Sequence, residues 1–322
     1  MVRTVRLTSC SLDVTVDLDR GAEILSIRHS PTDTEVLMAT PWAEDALALR
    51  PVPATYTADA SEAPWQASYA GGWQTLFPHA GAPQMVDGKL RHYHGEASIV
   101  PWVIDTASNG HLEAHVSLDS VPVRIDRVIS LENGTVRLSD RIENLGDTVI
   151  TYDYQSHPAF GAPFLEGGCR IVTDAVTYVP HPGIDLGEFE PGVAVRWPNA
   201  ESRFGGSELA TIPDRHSKTL RLGWLTDFTH RTVAINNPRT GLTAELSWSD
   251  PIRKYAWLWQ DAGADTREPW SGRGYTTAIE PSTRTTVFED RGSPVLHSES
   301  HVVFTTQLTL HTEEFAAKER AQ

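Results

Sequence analysis

Polar and apolar residues alternate with a period of two over most of the chain, the spacing of half-buried strands. In Leu12–Leu18, the residues Val14, Val16 and Leu18 fall on one face. Asp19-Arg20-Gly21 then reads as a turn, Ala22–Arg28 as the next strand, and Pro31, Thr32 and Asp33 break the chain again. Leu112–Leu118, Val121–Leu131 and Thr135–Glu143 repeat the pattern, with Asn133-Gly134 as the strongest hairpin signal. Val149–Tyr154, Arg170–Val179, Leu220–Trp224, Thr232–Ile235, Thr243–Trp248, Tyr255–Gln260 and Val302–His311 follow in the same style. Amphipathic helices are scarce; the charged Thr312–Gln322 reads as a short helix or a frayed tail. Gly183–Gly206, rich in Pro, Gly and charge, reads as a long surface loop. Many short strands with turn punctuation predict an all-β protein, a large antiparallel sandwich or barrel, not βαβ units. No repeat of fixed period interrupts this reading, so residues 1–322 are expected to form one domain.

Charge narrows the partners. Forty-two acidic residues against 27 basic ones give a formal net charge of −15. Such a surface repels phosphate backbones and anionic lipid headgroups, so neither nucleic acid nor membrane is the expected partner. Cys10 and Cys169 match no zinc or redox spacing. The first residues carry Arg3 and Arg6 but no apolar stretch of the signal-peptide kind, and no apolar run approaches the ~20 residues of a membrane helix. A cytoplasmic location is the default expectation.

Three stretches crowd polar, aromatic and Gly/Pro residues together, as sites built on loops of a rigid scaffold do. The first runs from Gly71-Gly72-Trp73-Gln74 through His79 to Arg91-His92-Tyr93-His94-Gly95-Glu96. Spacing of i, i+2 on a strand would put His92 and His94 on one face, as a metal site requires; sugar-hydroxyl contact by His94, or no role, are the other readings. The second is Tyr152 to Gly161, where Pro158 forces His157 into extended or turn geometry at a strand end. The third joins Trp257-Leu258-Trp259-Gln260-Asp261 to Pro269 through Thr283, including Arg273 and Glu280. Aromatic faces pack on the C–H faces of sugar rings, while Gln, Arg and Glu address hydroxyls. Trp73, Gln74, His79, His94, Trp259, Gln260 and Arg273 are therefore candidate substrate-binding residues. Glu280 sits between Ile279 and Pro281, and a carboxylate there is either partnered or functional. There is no G-x-S-x-G elbow, P-loop, dinucleotide G-x-G-x-x-G or H-E-x-x-H helix.

At these stretches the chain resembles the aldose 1-epimerase (galactose mutarotase-like) family. Val86-Asp87-Gly88-Lys89 through His94-Gly95 is similar to that family's DG…LHG region. His157-Pro158 with Phe160 looks like its histidine segment, Ala278-Ile279-Glu280-Pro281 like its LEP glutamate motif, and Val295–His311 like its closing segment. The resemblance implies a β-supersandwich, no metal or organic cofactor, and a small-molecule sugar as partner, on a monomer or homodimer. It implies His157 as general acid, Glu280 as general base and His94 as an orienting histidine, acting on the anomers of a free aldose. Three other functions remain in play on the same fold. One is a non-catalytic sugar-binding or regulatory protein. Another is a lyase or glycoside-acting enzyme pairing Glu280 with Glu96 or Asp261. The last is an epimerase for a phosphorylated or sulfonated sugar held by Arg273 and Arg91.

Overall fold

The computed structural model describes residues 2–50, 57–285 and 293–312. Alternation along the strands builds two large antiparallel sheets. The larger has eleven strands. Its centre runs Trp73–Leu76, Gln155–Phe160, Tyr275–Ser282, Tyr255–Ala262, Leu220–Thr226. The second has eight, with Leu242–Trp248, His301–Thr312, Thr135–Asn144 and Val123–Glu132 in the middle. In Val123–Glu132 every second residue from Val123 to Ile129 is buried. The Asn133-Gly134 hairpin forms as the sequence predicts, with Asn133 in the left-handed region at φ 52° and Glu132 opposite Thr135. Inward side chains of both sheets, among them Ile125, Leu138, Leu308, Leu258, Ile279 and Phe160, form one core cluster. Each such burial is worth about 1.5–3 kcal/mol.

Not every inward position is apolar. Arg127 is fully buried between the sheets and clasps Asp140 with two bonds, of 2.7 and 2.8 Å. Tyr154 donates to the same carboxylate at 2.9 Å and Thr75 at 3.2 Å. Trp102 lies under the guanidinium, 4.5 Å from ring centre to Cζ. The second sheet thereby holds two neighbouring strands of the first at fixed height, through Tyr154 on one and Thr75 on the other.

The outer face of the larger sheet carries a second, smaller apolar cluster that includes Met38, Trp42, Trp65, Tyr69 and Trp270. Two short helices cover it, α1 (Ala43–Ala48) and α2 (Glu62–Ala67), neither of which the strand pattern discloses. Beneath α2 lies a second buried ionic group. Arg50 binds Asp17 at 2.7 Å and Glu23 at 2.8 Å, and Arg20 also pairs with Glu23. Gly71, at φ 100°, lets the chain pass beneath residue 38: a Cβ there would stand 2.0 Å from the Met38 carbonyl oxygen. That crossing delivers the chain from α2 into the strand Trp73–Leu76.

Three local readings change. Arg170–Val179 is two strands, Arg170–Thr173 in the second sheet and Thr177–Pro180 in the larger one. The stretch 183–206 is not one loop; it contains Val195–Arg196 and the hairpin Asn199–Ser202 with Gly205–Glu208. His157 and Pro158 lie inside the strand Gln155–Phe160, not at its end. A proline survives there because the bond to the neighbouring strand is made by Ala159, whose N–H donates to Gly72 at 3.0 Å. The helix-or-tail reading of Thr312–Gln322 lies outside the described residues beyond Thr312, which closes the last strand. Among the described residues no helix is long and apolar enough to cross a membrane.

Candidate functional site

The site starts from the pleat. Along the strand Gln155–Phe160 and the residue before it, Tyr154 and Phe160 belong to the sandwich core, while Gln155 and His157 face outward into a cavity. On Tyr275–Ser282 the outward residues are Ala278, Glu280 and Ser282. Gln155 faces Ser282 and Ala159 faces Ala278, so the register sets His157 directly beside Glu280. The third strand adds Trp257, paired with Glu280, and Trp259, paired with Ala278. Period two therefore places a polar row, a titratable row and an aromatic row in succession along three neighbouring strands. The cavity above them measures about 320 Å³. Ligand pockets span about 300–1,000 Å³, so this one suits a single small polar ring.

His157 Nε2 stands 3.3 Å from Glu280 Oε1. The two groups form a side-by-side dyad on neighbouring strands. Gln155 Nε2 donates to Glu280 Oε2, which leaves Oε1 turned to the imidazole. Both groups are almost completely buried, at 5% and 4% exposure. Burial pushes the Glu280 carboxyl up to about 8, against a smaller opposing effect of the Gln155 bond. Burial likewise takes His157 down to about 4. Over the range between, the pair is a neutral imidazole beside a protonated carboxyl. That state and the imidazolium–carboxylate pair differ only in where one proton sits, so over that range the dyad holds one transferable proton.

The opposite wall comes from α2 and two turns. Trp65 and Tyr69 stack at 4.9 Å, and the Tyr69 ring meets the His157 ring edge-on at 6.1 Å. Trp259 is 6.2 Å from His157 and packs edge-on against Trp270 at 5.1 Å. His94 lies in a turn with φ 57°, not on a strand, so it does not share a strand face with His92. Its Nδ1 accepts the Gly81 N–H at 3.0 Å, which leaves Nε2 to carry the proton. Burial and the nearby His157 hold it well below the usual histidine range, so it is a neutral donor, 6.0 Å from His157.

His157, Glu280, His94 and Trp259 thus line one cavity. The other candidates stand elsewhere, for reasons the pleat supplies. Trp73 and Gln74 are adjacent in a strand and point to opposite faces. Trp73 is in the sandwich core, its Nε1 bonded to Ser156 at 2.7 Å. Gln74 is outward but sealed under α2, donating to Glu23 at 2.9 Å. Gln260, next to Trp259, turns the other way toward Arg221 and Thr277. Arg273 is an exposed turn residue bonded to the Pro269 carbonyl. His79 is one layer back: its Nε2 donates to the Ala82 carbonyl at 2.6 Å and its Nδ1 lies 3.4 Å from Asp153, which lines the cavity. Arg91 reaches toward the Ser120 carbonyl, Glu96 accepts the Asp119 and Ser120 N–H groups, and Asp261 accepts that of Ala264. Glu280 therefore has neither Glu96 nor Asp261 as a catalytic carboxylate partner. Among the described residues no cluster of three or more His, Cys, Asp or Glu side chains converges as metal ligands would.

Sequence reasoning passed over Tyr69, Gln66, Gln155, Trp257 and the cavity pairs Arg284–Asp153 (3.1 Å) and Arg267–Asp265 (2.7 Å). Gln155 and Trp257 were accessible from it, being two residues from His157 and from Trp259. Gln66 and Tyr69 were not, since the helix that carries Gln66 and ends just before Tyr69 spans only six residues.

A family model described as "Domain of unknown function (DUF4432)" matches residues 2–294. No curated protein matches the chain. Among solved structures, the Slr1438 protein of Synechocystis sp. PCC 6803 is similar with a TM-score of 0.72 at 17% identity, covering 97% of each chain. A galactose mutarotase related enzyme from Lactobacillus acidophilus gives 0.67 at 13%, covering 96% of this chain and 98% of its own. The GalM/aldose epimerase homologue of C. elegans gives 0.65 at 13%, covering 97% and 99%. The fold is the galactose mutarotase-like sandwich, in a divergent sequence.

Proposed function

We propose that this chain, which belongs to the DUF4432 family, interconverts the anomers of a free, uncharged aldose through the dyad His157–Glu280. The observation that carries the reading is the 3.3 Å approach of Nε2 to Oε1 within a cavity of monosaccharide size. The two oxygens of a hemiacetal hang on the same carbon, so an acid and a base that must address both belong side by side. The two roles implied by the resemblance are exchanged here, because burial leaves the imidazole neutral and the carboxyl protonated: His157 accepts the O1 proton at Nε2 while the Glu280 carboxyl delivers its own to the ring oxygen. The C1–O5 bond breaks, its electron pair stays on O5 with the new proton, and C1 becomes an aldehyde. Rotation about C1–C2 presents the other carbonyl face. The imidazolium and carboxylate left behind then reverse the transfers, and the ring closes to the other anomer. Protons balance within the dyad and no solvent proton is consumed.

Trp259 offers a face to the ring's C–H groups. The cavity cations favour a neutral substrate, since Arg267 and Arg284 are each paired with an aspartate. The similarity to a galactose mutarotase related enzyme and to an aldose epimerase homologue supports the same chemistry.

The test is polarimetry, or exchange NMR, on freshly dissolved single anomers of D-glucose, D-galactose and D-xylose. The wild type should speed equilibration of at least one. Glu280→Gln and His157→Asn should each lower kcat by about 10²–10⁴-fold with KM little changed, as expected for loss of a proton-transfer group. Full activity in either variant removes that residue from the mechanism.

A further inference from the structure

We propose that Tyr69 and Gln66, on the wall opposite the dyad, form a hydroxyl-recognition site that touches the substrate, Tyr69 donating to one ring hydroxyl and Gln66 fixing its neighbour. This assignment rests on the cavity reading above and adds the groups that hold a vicinal diol of the ring against the dyad.

The geometry behind it is a pair of orphaned polar atoms. The Tyr69 hydroxyl and the Gln66 Oε1 are both buried, both belong to cavity-lining residues, and neither has a hydrogen-bond partner among the described residues. The other end of the Gln66 amide is occupied, Nε2 donating to the Tyr93 hydroxyl at 3.1 Å. Folded proteins rarely leave such groups unpaired. Two of them three residues apart, on one turn of chain where the Tyr69 N–H meets the Gln66 carbonyl at 3.2 Å, mark a place where ligand atoms complete the bonding. A vicinal diol fits, because each hydroxyl both donates and accepts.

The phenol is also held rigidly. Trp65 stacks on it, and Arg20 stands behind with its Cζ 4.8 Å from the Trp65 ring and 6.0 Å from the Tyr69 ring. Thr40 Oγ1 donates to the Tyr69 carbonyl at 3.1 Å. Burial and the nearby Glu280 keep the hydroxyl protonated far above neutral pH, so it is a donor at any working pH. None of these contacts uses the hydroxyl itself, and preorganisation without a native partner is what a recognition group requires.

The substitution Tyr69→Phe removes only the orphaned atom, so fold and function should respond in opposite directions. Thermal unfolding of the unliganded variant should occur at the wild-type temperature or higher. Its kcat/KM for the active aldose should fall about three- to tenfold, the loss of one neutral hydrogen bond. Saturation-transfer NMR with the same three sugars on the Glu280→Gln background should show weaker binding when Tyr69→Phe is added. A lowered unfolding temperature, or unchanged kcat/KM with unchanged saturation transfer, overturns the assignment. If the wild type binds a sugar of the panel but interconverts none, the catalytic reading fails alone, and the saturation-transfer comparison decides for or against Tyr69. If no sugar of the panel binds, both fall.

Discussion

At the scale of single residues, the site is organised by the burial of two groups that would rather be charged. The Glu280 carboxyl is raised from its ordinary range to about 8, so between roughly pH 4.5 and 8 the folded chain holds a proton the unfolded chain has released. Its contribution is therefore complete below the unfolded value and drains away as pH rises toward the folded one. Glu280→Gln removes that titration while keeping size and hydrogen-bonding capacity. The variant should gain stability over the wild type progressively from pH 5 to pH 8, by on the order of 3 kcal/mol across the interval. Thermal unfolding of both proteins at matched pH values reads it directly. His157 is not involved in the difference, because its lowered value, about 4, is shared by both proteins and acts at the acid end. A gap between the two proteins that stays constant with pH would mean that the carboxyl is ionised in the fold.

At the scale of elements, the pleat decides which residues meet. It gathers His157, Glu280 and Trp259, and it separates Trp73 from Gln74 and Trp259 from Gln260. That rule was already legible in the sequence: adjacent strand residues cannot both face one cavity, and Gln155 and Trp257 follow from their neighbours by counting two. The strands themselves were legible for the same reason, since alternation such as that of Val123–Glu132 records a sheet with one wet and one buried face. Illegible were α1 and α2, too short for a helical period to show, and with them the whole wall of Trp65, Gln66 and Tyr69. Equally hidden was the inward turn of Arg127, which reads as one more polar residue until the sheets are stacked. The buried Arg127–Asp140 pair ties Tyr154, at the start of the His157 strand, and Thr75, on the strand beside it, to the second sheet. Asp140→Ala would leave the guanidinium uncompensated between the sheets, a loss of about 3–5 kcal/mol. Chemical denaturation should find it. Tyr154→Phe, which keeps the ion pair, should lose only about 0.5–1.5 kcal/mol and bounds the part due to the hydrogen bond.

At the scale of the molecule, a formal charge of −15 surrounds a cavity in which the cations are matched by carboxylates and the dyad is neutral as a pair. The field of such a body acts on the approach of charged ligands, not on that of neutral ones. For an uncharged aldose, kcat/KM should therefore stay flat as salt rises from about 0.01 M to about 0.15 M, over which the screening length falls from about 30 Å to about 8 Å. An anionic sugar such as glucose 6-phosphate should react poorly, and its kcat/KM should rise with salt as the repulsion is screened. The opposite slope, a sugar phosphate that outperforms the free aldose and loses rate as salt is added, would mean that a guanidinium leaves its aspartate to meet the substrate. Measuring both sugars across one salt series separates the two cases, because every contribution common to the dyad cancels in the ratio and only the charge of the ligand remains.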